Sequence, residues 1–172
     1  MNGFLNENGT MRYWMGKRSA SKSRFPGMLD NVVAGGLPTG FSPLECAMKE
    51  CWEEASIDES VARSRLKCTG SITRCCEEEG FLSLEEIFIF DMDMAGLTPQ
   101  PRDGEVESFS LFDCDDVISK LALQVKPDVL IVLVDFMIRH GLVDSETDPV
   151  GYLDLIRAMH EPIPVHDEKA RL

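Results

Sequence analysis

Glu50, Glu53 and Glu54 follow i, i+3, i+4 spacing, so on a helix their carboxylates project from one face. Like charges at that spacing repel by a few tenths of a kcal/mol per pair, roughly, and a cation reverses the penalty. Hard divalent ions such as Mg²⁺ or Mn²⁺ take carboxylate and water oxygens. The chemistry open to the triplet is therefore metal binding. The plainer alternative is a solvated acidic face.

Two carboxylates further on, Glu105 and Glu107, flank Val106 at the start of an apolar alternation. The plain reading of both is the solvent-facing edge of a half-buried strand. The opposite charge is concentrated near the N-terminus. Residues 1–40 hold five Lys/Arg against two acids, and residues 41–172 hold twelve against twenty-eight. Lys17, Arg18, Lys22 and Arg24 lie in the basic stretch and could meet phosphate oxygens. Trp14 and Phe25 could stack on a flat ring or simply pack. The net charge of −13 over 172 residues argues against nucleic acid and anionic membrane as partners.

The elements that must position these groups are legible. Phe4-Leu5 and Met11–Met15 read as a hairpin around Asn8-Gly9. Leu29–Ala34 reads as a strand, followed by the loop Gly35–Gly40. Ser42-Pro43-Leu44-Glu45 starts a helix, with Ser42 at the N-cap, Pro43 at the first helical position and Glu45 closing a capping box. That helix should end near Ala55, with Leu44, Met48, Cys51 and Ala55 inward and the three glutamates opposite. Leu66–Arg74 and Leu84–Met92 read as strands around an acidic turn over Cys75–Gly80, and Val106–Phe112 as a third. Asp113–Leu123, Pro127–His140 and Val150–His160 read as helices, with a strand as the rival for the second because of its β-branched residues.

The six cysteines form no C-x-x-C pair, so reduced thiols are expected. The longest apolar run is too short to span a bilayer. The expectation is a soluble, cytoplasmic protein, with organelle targeting open if residues precede Met1. His140 and His160 are expected at helix ends rather than on a metal. Nothing in the sequence sets an oligomeric state.

The glycine loop, the helix and the triplet together read Gly35-x5-Phe41-x7-Lys49-Glu50-Cys51-x-Glu53-Glu54-x-Ser56-Ile57. This resembles the Nudix box, G-x5-E-x7-R-E-U-x-E-E-x-G-U with U a bulky apolar residue. Phe41, Lys49 and Ser56 depart from it. Lys49 keeps the charge of Arg without its planar fork, and Ser56 replaces a glycine suited to positive φ, which points to a different helix exit. Further stretches, Trp14–Ser19, Phe25–Gly36, Asp103–Glu107 and Asp135–Gly141, are similar to the Nudix subgroup related to thiamine pyrophosphokinase-like proteins. That subgroup shares the Phe41 and Lys49 departures. Its members carry a further domain ahead of the hairpin at which this chain starts.

The resemblance implies a Nudix-like α/β/α sandwich with a mixed sheet over residues 1–162; residues 163–172 read from their own sequence as a flexible tail. It implies Mg²⁺ or Mn²⁺ held by Glu50, Glu53, Glu54 and the Gly35 carbonyl, with Glu53, Glu50, Lys49 and Glu105 in catalytic roles. Lys17, Arg18, Lys22 and Arg24 would hold the phosphates. The implied reaction is hydrolysis of thiamine diphosphate, or its oxidised oxy and oxo analogues, to the monophosphate and phosphate. The alternatives are a nucleoside diphosphate derivative as substrate, or a non-catalytic module that binds a diphosphate.

Overall fold

The computed structural model describes residues 1–163 apart from Glu79 and Thr147. Most of the expected tail therefore lies outside the described residues. A mixed sheet carries helices on both faces. The strands are β1 (Asn2–Glu7), β2 (Thr10–Arg18), β3 (Leu29–Asp30), β4 (Lys67–Glu78), β5 (Phe81–Asp93) and β6 (Val106–Asp113). β2 is the hub. It pairs antiparallel with β1 through a turn at Asn8-Gly9, whose φ angles of 55° and 90° suit the strand twist. It also pairs antiparallel with β3 beyond the end of β1, and with β6 on its other edge. β1 pairs parallel with β5 over Asn2–Phe4 and Asp91–Asp93 only, and β4 closes the far edge as a hairpin with β5.

The helices are α1 (Pro43–Ala55), α2 (Glu59–Arg65), α3 (Cys114–Asp116), α4 (Pro127–Arg139) and α5 (Pro149–Met159). Alternation along β2 feeds two cores. Tyr13 and Met15 pack with Val129, Leu133 and Phe136 of α4. Trp14, facing the other way, packs with Met48, Cys51 and Ala55 of α1 and with Met92 of β5. Trp14 is thus a packing residue, not a stacking platform, and its indole N–H is the one buried side-chain donor without a partner among the described residues. α5 packs on the β4–β5 hairpin through Met159, Ile72 and Ile89.

Several expectations need correction. β3 is two residues long, and Asn31–Ala34 runs on without ladder bonds. The hairpin continues through Cys75–Glu77, paired with Leu84–Leu82, where a turn was expected. Asp113–Leu123 is no regular helix: α3 passes into a π turn at Val117–Leu121 and a 3₁₀ turn at Ala122–Gln124. α2 had no counterpart in the sequence reading. α4 is a helix, so the rival strand falls away. His140 and His160 do cap α4 and α5, and all six cysteines are free thiols. No helix among the described residues is long and apolar enough to cross a membrane.

Candidate active site

α1 is built as the sequence dictates. Ser42 Oγ accepts from the Glu45 N–H, and the Glu45 carboxylate accepts from the Ser42 N–H at 2.8 Å. Such a cap is worth about 1 kcal/mol. At the other end Ser56 takes the left-handed conformation, φ 56°, and the Ile57 N–H bonds the Cys51 carbonyl at 2.9 Å. The exit is thus the one a glycine would give, contrary to the different exit expected from the substitution.

The three glutamates do not share one solvated face. Glu54 is buried, only 7% exposed, whereas Glu53 lies on the surface. Leu44, expected inward, is exposed, and Glu54 takes an inward position on the helix. The reason lies outside the helix. The chain after β3 folds over this flank, and the Ala34 N–H donates to Glu54 Oε2 at 2.9 Å. Burial pushes the Glu54 carboxyl up to about 8, against the pull of that N–H, with Glu50, Asp30 and Glu105 adding to the rise.

Gly35 sits against Glu50. A Cβ at Gly35 would run into the Glu50 carboxyl group, so only glycine lets the backbone come this close. Lys49 pairs with Glu53 and lies 3.4 Å from Glu50 Oε1, so one ammonium bridges two of the three carboxylates. The Glu53 hydrogen bond raises the Lys49 pKa.

The remaining expected groups divide. Arg18, Lys22, Glu54 and Glu105 line one small polar pocket with Asp30 and Asn31. Glu105 in that pocket pairs with Lys22, whereas Glu107 pairs with Lys17 at 2.9 Å. Arg18 is held by Asp30 at 2.6 Å and by the carbonyls of Phe25 and Arg24, so it closes its own loop. Arg24 lies over the Phe25 ring. Lys17, Arg18 and Lys22 are therefore each matched by a carboxylate. Phe25 itself adopts a positive φ of 50°.

A second, larger cleft of about 430 Å³ is lined by Glu50. It runs between the Val33–Leu37 segment and β5, whose edge is left unpaired by β1 before Asp91. Lys126 and Asp128 at the start of α4 line its far end. The sequence reading missed these two, along with Asn31 and Phe88. Their distance along the chain from the triplet gave no spacing signal; only the α4 start was visible.

The donor set fits a hard divalent cation. It offers carboxylate and carbonyl oxygens alone, and it includes a buried carboxyl that only a backbone N–H compensates. Lys49 already holds a cationic group between Glu50 and Glu53. Among the described residues no three Asp, Glu, His or Cys side chains converge closely enough to hold a metal ion as they stand.

Comparison with known proteins agrees with this geometry. The family model described as NUDIX domain matches residues 3–132. The uncharacterized protein YJR142W of Saccharomyces cerevisiae is 36% identical over 167 residues, covering 90% of this chain and 48% of its own length. Nudix hydrolase 20, chloroplastic, of Arabidopsis thaliana is 38% identical over 162 residues, covering 92% of this chain and 42% of its own. The chain thus spans about half the length of the curated relatives it matches. Among solved structures, the NUDIX domain of Shewanella oneidensis NrtR complexed with ADP ribose superposes with a TM-score of 0.61 at 13% identity, covering 83% of this chain and 84% of that one. A Caenorhabditis elegans Ap4A hydrolase binary complex gives 0.59 at 14% identity, covering 83% and 95%. At these identities the two structures speak for the fold.

Proposed function

This chain belongs to the Nudix domain family, and from that membership we propose that it hydrolyses the diphosphate linkage of a small molecule, with thiamine diphosphate or its oxidised oxy and oxo analogues as the substrate class. The observation that carries the hydrolytic reading is Glu54. Burial beside Glu50 pushes its carboxyl up to about 8, so the charged form is disfavoured there until a cation stands next to it. A solvated acidic helix face would leave it outside. The thiamine class rests on the sequence resemblance of Trp14–Ser19, Phe25–Gly36, Asp103–Glu107 and Asp135–Gly141.

Glu50, Glu53, Glu54 and the Gly35 carbonyl would hold Mg²⁺ or Mn²⁺. When bound, such an ion neutralises diphosphate charge and lowers the pKa of a coordinated water. Lys49 orients Glu53 and Glu50 from one side of α1, and the Ala34 N–H orients Glu54 from the other. Glu105 takes the proton of the attacking water, and Lys22 fixes its carboxylate. Lys22 and Arg18 meet the phosphate oxygens by sharing their present carboxylate partners. The cleft beside Glu50 receives the organic group.

The test is phosphate release with Mg²⁺ from a panel of thiamine, oxythiamine, nucleotide-sugar, ADP-ribose and CoA diphosphates. Release from the thiamine members at the highest kcat/KM is the expected result. Faster release from a nucleoside diphosphate derivative would replace the substrate class. No release, with measurable binding of one member, would make the chain a diphosphate-binding module.

A further inference from the structure

We infer that Asp128 and Lys126, at the α4 end of the cleft, select the substrate's organic group by hydrogen-bonding the polar edge of a planar nitrogen heterocycle. The inference rests on the reading that the diphosphate lies at Glu50.

The cleft exists because the sheet splits. β1 meets β5 only at Asp91–Asp93, so from Glu85 to Phe90 the free edge of β5 faces the Val33–Leu37 segment across open space. The opening passes between the sheet's two faces. Glu50 of α1 stands on one side, and Lys126 and Asp128 of α4 stand on the other. The walls carry apolar side chains, Val33, Leu37 and Phe88, the last 43% exposed, together with the polar Glu85 and Glu86 of β5. A volume of about 430 Å³ accepts a ring system of modest size. The lining thus asks for a molecule that is charged at one end, flat and apolar in the middle and polar at the other.

The far end is a fixed donor–acceptor set. The Lys126 ammonium lies 2.8 Å from Asp128 Oδ2 and 3.8 Å from Asp30 Oδ2. Its backbone N–H is pinned to the Leu29 carbonyl at 2.9 Å. Asn31 also lines the cleft. It donates through Nδ2 to Asn2 and to the Tyr13 hydroxyl, which leaves Oδ1 as its acceptor. At the α4 end one cationic donor therefore stands with a carboxylate acceptor.

A surface salt bridge is the ordinary explanation of such a pair, but both side chains are less than a fifth exposed. A pair so enclosed adds little stability against its desolvation cost. The set offers an anion no unmatched cation, since Asp128 answers the Lys126 ammonium and Asp30 answers Arg18. What the set suits is an uncharged edge carrying both a donor and an acceptor. An unpaired polar group left in such a site penalises the wrong ring strongly.

The test is calorimetric binding of thiamine, oxythiamine and adenosine monophosphates to the full chain and to Asp128→Asn, Lys126→Met and Phe88→Ala. Oxythiamine differs from thiamine by one ring substituent, an oxo group for an amino group. The expected result is that wild type binds at least one ring, and that Asp128→Asn or Lys126→Met changes the affinity ratio between rings about tenfold or more. Phe88→Ala, an exposed position, should weaken binding of the preferred ring. The inference is overturned if wild type binds none of the three, or if all variants keep the wild-type ratios and affinities. Thermal unfolding of each variant separates lost folding from lost selection. Phosphate release from the diphosphate panel is read separately, so a hydrolase with unaltered ratios refutes the inference alone. A non-hydrolysing chain with altered ratios refutes the proposed activity alone.

Discussion

Glu54 differs from Glu50 and Glu53 because a distant segment folds over it. The i, i+3, i+4 spacing set three carboxylates on successive turns of α1, and that much was legible in the sequence. The burial was not, since it depends on Ala34 closing over the flank of α1. The consequence is a pH dependence with a definite sign. In the unfolded chain Glu54 titrates near 4.5; folded and metal-free, it titrates at about 8. Between these values the folded state binds the extra proton, so stability falls as pH rises through that window. Above about pH 8 the penalty is complete. Glu54→Gln removes it. In EDTA, the gain in unfolding free energy of this variant over wild type should grow from pH 4.5 to 8, reaching on the order of a few kcal/mol. Urea denaturation at both pH values checks this. A pH-independent difference would mean that Glu54 is ionised without metal. At the same scale, the four basic residues expected to hold phosphate were chosen on charge alone. Charge could not show that Asp30, Glu105 and Glu107 already balance Arg18, Lys22 and Lys17.

Among the elements, α1 was the most legible because its signals are local: a capping box, a proline at the first turn and a period of 3.6. Its exit was misjudged. Ser56 bears a left-handed conformation that a non-glycine residue adopts at a cost. Ser56→Gly should therefore stabilise the fold by about 0.5–1 kcal/mol, read as a raised urea midpoint at unchanged m-value. A lowered midpoint would show that the Ser56 side chain contributes more than its backbone costs. The β4–β5 hairpin was read too short because Cys75–Gly80 looks like a polar turn, yet the ladder continues from Cys75↔Leu84 to Glu77↔Leu82. α2 was missed because seven residues hold barely two turns, too few for periodicity to register. The helix expected at Asp113–Leu123 is helical in content but changes pitch twice, which no periodicity reveals.

Across the whole molecule, a polar network ties α4 to the sheet and to the segment after β3. Arg139 of α4 donates to Asp135 at 2.8 Å and to Asp91 of β5 at 2.5 and 3.2 Å. Asp91 accepts from Asn2, and Asn2 accepts from Tyr13 and Asn31. The chain that enters the site is thus anchored to α4 through β1. Burial works to raise the Asp91 carboxyl, and the Arg139 and Asn2 hydrogen bonds more than offset it, leaving its pKa below the usual value. Arg139→Ala would strand this charge in the interior and should cost about 3–5 kcal/mol. Denaturant unfolding measures it, and a loss under 1 kcal/mol would show that the network is not holding α4 to the sheet. The net charge of −13 repels a diphosphate at long range. Since carboxylates already balance the basic loop, on the proposed function a cation held at the site would be what overcomes that field. The most direct measurement of this claim is phosphate release by Glu53→Gln, with thiamine diphosphate or the best panel substrate and saturating Mg²⁺. Glu53 is 44% exposed in its side chain, so folding should persist within about 0.5 kcal/mol. The rate should fall at least about 100-fold. A folded variant that releases phosphate at the wild-type rate would contradict the account.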